Sequence, residues 1–289
     1  MNSDLSILWL SVSPHLKCFD QRLLSKLVKF GPIRRWEYLQ TLDEPCCIES
    51  VVEMLHEYIS DRISLEKSAS ANQSVTPSTV HPSHKLHLIG HGVSGVVGLL
   101  YAQRYPQHVA SLTLLSVNAL PAVNWQAHYY ALRQLLPCSR AMILAQMTRL
   151  LFGKQPIRLS RALSELLARD LDSSLTLHSL AKQTIINTEP VEVPVLVCNG
   201  EADDITRVRG EHQWQPWLKP QDRLWLCPGG NHFFHFQQPT VVANRIMDYW
   251  QQLTVTTSAT PPITHPCSSQ VERDSTKTTL SLEIKQALK

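Results

Sequence analysis

Apolar residues along the chain group into short, nearly continuous runs and into longer segments where they recur at helical spacing. Six short runs have the pattern of a strand, and they cover 5–12, 33–39, 85–90, 109–117, 193–200 and 223–230. Four longer segments have the pattern of an amphipathic helix, and they cover 16–29, 47–63, 93–105 and 240–253. Because strands alternate with helices, the chain is predicted to form an α/β fold with a mostly parallel sheet flanked by helices.

Three segments fall outside this alternation. Residues 68–84 contain almost no large apolar side chain and are predicted to be a loop or a disordered insertion. Residues 119–189 are rich in Leu, Ala and Arg and predict several helices. The Thr-, Ser- and Pro-rich composition of 254–289 predicts a disordered tail. The core is therefore predicted to consist of 1–118 and 190–253.

Composition and charge exclude several functional classes. A formal net charge of +3 over 289 residues is too small to predict a nucleic-acid or membrane-surface partner, and no apolar run approaches the ~20 residues of a membrane span. The start MNSDLSILWLSV lacks the basic segment and cleavage site of a secretory signal. Seven scattered cysteines without a CxxC pair are typical of reduced thiols, so a cytoplasmic location is expected. The pattern predicts no metal and no cofactor.

Turns rich in glycine or polar residues follow three of the predicted strands. They are GHGVSG at 90–95, NGEADDIT at 199–206 and PGGNHFFHFQQP at 228–239. Because ligands of parallel sheets bind beyond the carboxyl ends of the strands, we expect these three loops to meet at one site.

The three loops resemble, in order, motifs of the α/β-hydrolase superfamily, in the branch of small esterases, epoxide hydrolases and haloperoxidase-like enzymes. The nucleophile elbow of these enzymes reads G-x-S-x-G, often G-H-S-x-G-G, directly after a strand, and Gly90, His91 and Gly95 match it. The resemblance covers roughly 5–253. It implies an α/β-hydrolase fold of the AB hydrolase-1 type, with a helical cap over 119–189 and without the usual N-terminal hairpin.

The resemblance assigns the acid and the histidine of the catalytic triad to Asp203 and His232. Asp204 and His235 are the competing choices. The nucleophile position falls on Gly92, which has no side chain to attack a substrate. Ser94 follows two residues later, where about 200° of helical rotation points it away, so its use as a nucleophile is the lesser alternative. A buried His–Asp pair can also be purely structural.

The oxyanion hole implied by the resemblance is altered as well. The backbone N–H of Val93 can supply one donor. The other is expected from the loop after the first strand, at Val12 and Ser13, where relatives often have His-Gly and where Pro14 has no N–H to donate. These departures from the family pattern argue against acyl-transfer chemistry at this site.

Three functions remain open at this point. The first is a non-catalytic pseudoenzyme that acts in binding, regulation or scaffolding. The second is a hydrolase or lyase of altered mechanism, in which His232 and Asp203 activate water, and the third is a serine esterase that uses Ser94. The implied partners are a small acyl or ester-like ligand in the cap pocket and a protein partner. Basic residues of the cap either form a solvated face or bind an anion at the rim, and these are Arg133, Arg140, Arg149, Lys154, Arg158 and Arg161.

Overall fold

The computed structural model describes residues 6–38, 47–71, 85–173, 190–207 and 211–258. Within these ranges, six strands form one all-parallel sheet in the order β2-β1-β3-β4-β5-β6. The strands are β1 (Ile7–Ser11), β2 (Ile33–Glu37), β3 (Leu86–His91), β4 (Val109–Leu115), β5 (Val195–Gly200) and β6 (Arg223–Cys227). The prediction of a mostly parallel sheet flanked by helices is confirmed.

Two strands end earlier than their apolar runs, because the backbone turns. β4 ends at Leu115, since Ser116 has a φ of 48° and cannot continue an extended strand. β6 ends at Cys227, and Gly229 follows with a φ of 62°. Both turns lie at the carboxyl edge of the sheet, where the candidate loops emerge.

Eight α-helices and three 3-10 helices lie in the described ranges. The α-helices are α1 (Gln21–Leu27), α2 (Ile48–Ala71), α3 (Val93–Arg104), α4 (Trp125–Leu135), α5 (Arg140–Phe152), α6 (Ile157–Ser173), α7 (Phe234–Gln237) and α8 (Pro239–Ser258). The 3-10 helices span Pro14–Phe19, Pro106–His108 and Glu211–Trp217. No helix in the described part of the chain is long and apolar enough to cross a membrane.

Several predicted boundaries differ from the structure. The helix predicted over 16–29 is divided into a 3-10 helix and α1. Helix α2 continues to Ala71, into the predicted insertion at 68–84, because Leu65, Glu66, Lys67 and several small residues are compatible with a helix. Helix α8 likewise extends to Ser258, into the predicted tail. The remainder of those two segments, at 72–84 and 259–289, and 174–189 of the predicted cap lie outside the described residues.

The sheet is buried on both faces, which explains why its strands read as continuous apolar runs. Leu8 and Leu10 of β1 pack on one face in a cluster that includes residues of α2 and α3. Ile7 and Trp9 point to the opposite face, where the cluster includes residues of α1 and α8. This three-layer arrangement fixes the carboxyl ends of β1, β3, β4 and β5 next to one another.

Helices α4, α5 and α6 form a third apolar cluster together with the first 3-10 helix. Phe152, at the end of α5, stacks on Phe233 with ring centroids 4.8 Å apart, and Phe19 lies 4.9 Å from the same ring. Asn124 and Ser139 accept hydrogen bonds from Ala127 N–H and Met142 N–H, which caps α4 and α5. The helical segment is therefore packed onto the loop that carries His232.

The partly buried side chain of His87 makes the stability of the fold sensitive to acid. Burial lowers its pKa from the ordinary 6.5 to about 4, and its Nδ1 lies 2.8 Å from Ser111 Oγ. The unfolded chain binds a proton at this side chain below pH 6.5, whereas the folded chain does so only near pH 4. The free energy of unfolding therefore decreases as the pH falls through this interval.

His87→Gln has no ring to protonate at this position. From pH 7 to pH 4, its free energy of unfolding should therefore decrease by up to about 3 kcal/mol less than that of the wild-type protein. Denaturant unfolding at a series of pH values measures it. The exposed residue His15 provides the control, and His15→Gln should retain the wild-type pH dependence. Identical pH profiles for wild type and His87→Gln would contradict the assignment.

Candidate functional site

Gly92 forms the turn between β3 and α3. Its φ is 54° and its ψ is −126°, and its N–H donates to the carbonyl oxygen of Leu115 at 2.9 Å. A Cβ atom added at Gly92 would meet nothing within 4 Å, so the space beyond this residue is open. By contrast, a Cβ at Gly90 would lie 2.6 Å from the backbone nitrogen of Gly95. Gly90 permits the close approach of the strand and helix, whereas Gly92 faces unoccupied space.

Asp203 and His232 form a buried pair at the ends of β5 and β6. Asp203 Oδ2 lies 2.9 Å from His232 Nδ1, and their side chains are 0% and 1% exposed. Of the competing choices, Asp204 is exposed, and His235 lies 3.4 Å from Asp20 instead. The structure thus brings together the two residues that the loop motifs single out.

The turn after β5 supplies Asp203 with further donors. Its Oδ1 accepts from the N–H groups of Ile205 at 3.0 Å and Thr206 at 3.3 Å, and its Oδ2 accepts from Thr206 Oγ1 at 2.8 Å. Burial alone would raise the pKa of Asp203, but His232 and the Thr206 donors hold this pKa below its ordinary value. Asp203 is therefore a carboxylate that accepts a hydrogen bond from the Nδ1–H group of His232.

The backbone of His232 is held by two side chains from neighbouring strand ends. Its carbonyl oxygen accepts from Ser116 Oγ at 2.6 Å and from His91 Nε2 at 3.1 Å. Ser116 has a φ of 48°, a left-handed conformation that costs a non-glycine residue free energy. Burial, together with the rings of His235 and His232, lowers the pKa of His91 well below its ordinary value, so His91 is a neutral donor. These contacts fix the position of the His232 ring.

Ser94 is buried in the first turn of α3, and its Oγ accepts a hydrogen bond from the Val12 N–H at 3.0 Å. This bond occupies the backbone donor at the end of β1. Val93 is the first residue of α3, so its N–H has no partner within the helix. Ser13 is partly buried beside Val12 and precedes the 3-10 helix that starts at Pro14.

A cleft of about 630 Å³, measured out to its mouth, opens above Gly92 and beneath α4. Its polar lining includes residues that sequence reasoning did not single out, and these are Ser116, Asn118, Asn124 and Gln126. Gln126 Nε2 lies 3.4 Å from Asp170 Oδ2, while Asn118 Nδ2 donates to the carbonyl oxygen of Thr206 at 2.7 Å. No local motif marks Ser116 and Gln126, because their partners His232 and Asp170 lie on distant segments.

The described residues of the predicted cap that line the cleft are uncharged. None of the six basic residues of the predicted cap is among the described residues that line it, and Arg140 instead pairs with Asp172 at 2.7 Å. These six basic side chains therefore form no anion site within this cleft. In the described part of the chain, no group of three or more His, Cys, Asp or Glu side chains is arranged to hold a metal ion.

His235 lies on the far side of His91, with ring centroids 4.6 Å apart. Asp20, the acid that faces His235, also accepts from Trp9 Nε1 at 2.9 Å and lies 3.7 Å from Arg35 Nη1. These contacts connect β1, β2 and α7 beneath the cleft. They make His235 part of the packing that supports the site.

Two proteins of uncharacterized function are similar in sequence over most of their length. The protein sll0249 of Synechocystis sp. is 40% identical over 253 residues, which cover 88% of this chain and 93% of that protein. The protein alr2406 of Nostoc sp. is 37% identical over 251 residues, which cover 87% and 92%. No family model matches the chain.

Solved structures of α/β-hydrolase enzymes superimpose on the chain. A bacterial membrane phospholipase A has a TM-score of 0.63 at 18% identity and covers 87% of this chain and 80% of its own. An esterase from Thermogutta terrifontis has a TM-score of 0.60 at 18% identity, covering 88% and 92%. A meta-cleavage product hydrolase from Pseudomonas fluorescens has a TM-score of 0.62 at 11% identity, covering 87% and 92%. The chain therefore has the α/β-hydrolase fold.

The geometry of the turn predicts that position 92 tolerates a side chain and position 90 does not. Gly92→Ala is expected to cost about 1–2 kcal/mol, because the positive φ is its sole penalty. Gly90→Ala should cost at least about 2–3 kcal/mol, because its Cβ meets the backbone of α3. Thermal unfolding of both variants compares them directly. Equal losses of stability in Gly92→Ala and Gly90→Ala would contradict the conclusion that the space beyond Gly92 is open.

Proposed function

The chain belongs to the same family as the proteins sll0249 and alr2406, and on that premise we propose that it is a non-catalytic ligand-binding protein of the α/β-hydrolase fold. In this proposal Gly92 stands where a hydrolase has its nucleophilic serine, and the cleft binds a small molecule without forming an acyl-enzyme. The observation that carries the proposal is the left-handed Gly92 turn, which faces open space beside an intact His232–Asp203 pair.

The bond between Ser94 and Val12 supports the same conclusion independently. A hydrolase stabilises its tetrahedral intermediate with two backbone N–H groups, one after the nucleophile and one from the loop after an early strand. In this chain the second of these would be Val12 N–H, and Ser94 Oγ already accepts from it at 3.0 Å. An oxyanion would have to displace that internal partner. Ser94 is thus a structural acceptor in this proposal and not a nucleophile.

A cytoplasmic location is part of the proposal. It is supported by Cys18, Cys138, Cys198 and Cys227, which form no disulfide bond among the described residues. Two of these, Cys198 and Cys227, are fully buried in the core.

We expect a fluorophosphonate probe to leave the wild-type protein and Gly92→Ser essentially unlabelled. The double variant Gly92→Ser/Ser94→Gly restores both the nucleophile and the free Val12 N–H. Because one oxyanion donor is worth about 10²–10³ in rate, the double variant should react about a hundredfold faster than Gly92→Ser. Intact-protein mass spectrometry measures the adduct.

Ser94→Gly alone is the control, since it frees the donor without adding a nucleophile, and it should stay unlabelled. Labelling of the wild-type protein that is lost in Ser94→Ala would contradict the proposal and establish the serine-esterase alternative.

A second candidate is water activation by His232, and the unpartnered, buried Nε2 beside open space favours it. In such a mechanism His232 would remove a proton from water, and Asp203 would stabilise the resulting imidazolium. The binding proposal predicts no turnover of p-nitrophenyl acetate above the rate of a protein-free blank. The candidate instead predicts saturable turnover without a burst, abolished by Asp203→Asn and retained by the exposed neighbour control Asp204→Asn.

A further inference from the structure

Two buried hydrogen-bond acceptors line the cleft without a partner. His232 Nε2 and Gln126 Oε1 have no hydrogen-bond partner among the described residues and are shielded from bulk water. The residues that bear them are 1% and 6% exposed. Buried polar atoms are nearly always paired, so two such atoms at one cleft point to a ligand that pairs them.

The contacts of each side chain determine that these atoms are acceptors. Nδ1 of His232 donates to the Asp203 carboxylate, so in the neutral ring Nε2 carries a lone pair and no proton. Gln126 turns its Nε2 toward Asp170 Oδ2 at 3.4 Å, because the opposite orientation would place two oxygens together. Burial raises the pKa of Asp170 to about 6, so above that pH this side chain is a carboxylate that can only accept. Both orphaned atoms therefore require a donor from the ligand.

The charged residues that line the cleft indicate which net charge the ligand carries. The described residues that line the cleft include no Lys or Arg, while Asp20 lies at its floor. An anionic ligand would therefore meet a carboxylate and no cation. Asp20 is already engaged by Trp9 and Arg35, so it does not call for a cationic ligand either. An uncharged ligand is the remaining class.

Much of the wall is apolar. Trp9, Val96, Val123, Trp125 and Phe233 all line the cleft. Such side chains favour a ligand with an apolar body and only a few polar groups.

We propose that the cleft binds an uncharged molecule with an apolar body and two hydroxyl groups, one donating to His232 Nε2 and the other to Gln126 Oε1. This inference rests on the proposed non-catalytic binding function and names the ligand class for the same site. An ester or a carboxylate offers only acceptors to these atoms and would leave both unpaired. One missing hydrogen bond corresponds to roughly a five- to tenfold loss of affinity.

Six-carbon probes of matched size test the ligand class at pH 8 by ligand-observed NMR titration. The probes are 1-hexanol, 1,2-hexanediol, 1,6-hexanediol, hexylamine, hexanoate and hexyl acetate. The two diols sample short and long separations between hydroxyl groups. We expect at least one diol to bind at least fivefold more tightly than 1-hexanol, and hexanoate and hexyl acetate to bind more weakly than 1-hexanol.

Two variants in α4 test whether Gln126 binds the second hydroxyl group of the ligand. Gln126→Leu removes the acceptor at nearly constant size, so it should abolish the preference for the diol over 1-hexanol while 1-hexanol itself still binds. The control is Gln134→Leu, the same change at an exposed position of the same helix, and it should keep the wild-type preference. Binding of 1-hexanol to Gln126→Leu also shows that this variant is folded.

The outcomes separate this inference from the function on which it rests. Absence of diol binding up to tens of millimolar overturns the ligand class, as does hexanoate, hexylamine or hexyl acetate binding as tightly as the diols. A preference for the diol that survives in Gln126→Leu overturns the assignment of the second hydroxyl. Turnover of hexyl acetate or a covalent fluorophosphonate adduct would instead overturn the non-catalytic function itself.

Discussion

The hydrogen bond between Asp203 and His232 is the interaction on which the site depends. It joins the ends of β5 and β6 at 2.9 Å in a place that water does not reach. A carboxylate in such a place is stable only because several donors converge on it, and Ile205 and Thr206 supply them. The bond also decides which nitrogen of His232 is protonated in the neutral ring. The opposite nitrogen is then an acceptor turned away from the acid.

Around this bond the chain has the α/β-hydrolase fold, and in the proposed function it differs from a hydrolase at the reacting atoms. Ser116, in a left-handed conformation, and His91 both hold the carbonyl of His232, so the position of the ring is maintained at a cost in backbone strain. The elbow, in contrast, carries Gly92, for which the left-handed conformation has little cost. Ser94 Oγ meanwhile accepts the hydrogen bond of the Val12 N–H, so this donor is already occupied. In the proposed function, a precisely positioned histidine without a nucleophile beside it binds a ligand and does not transfer an acyl group.

Much of this arrangement could be predicted from the sequence. The strands of a buried parallel sheet are continuous apolar runs, and the residues after them meet at one edge, so Asp203, His232 and Gly92 could be placed together without coordinates. The turns that shorten β4 could not be predicted, because the left-handed conformation of Ser116 depends on a bond to a residue 116 positions away.

The same limit applies to the roles of Ser94 and Gln126. Helical rotation predicts that Ser94 does not take the place of Gly92, but it gives no indication of the acceptor role toward Val12, which joins residues 82 positions apart. The unpaired state of Gln126 depends on its contact with Asp170 on another helix. Periodicity reports which face of an element is buried, and it carries no information about such pairings.

The protonation state of His232 is the most direct test of the claim that this site presents an acceptor to a ligand. Nitrogen-15 NMR of histidine-labelled protein at pH 8 distinguishes a protonated ring nitrogen from one with a free lone pair. The structure predicts that Nδ1 of His232 is protonated and that Nε2 is not, with the Nε2 resonance shifting when a hydroxyl-bearing ligand is added. A His232 resonance with a proton on Nε2 at this pH would contradict it.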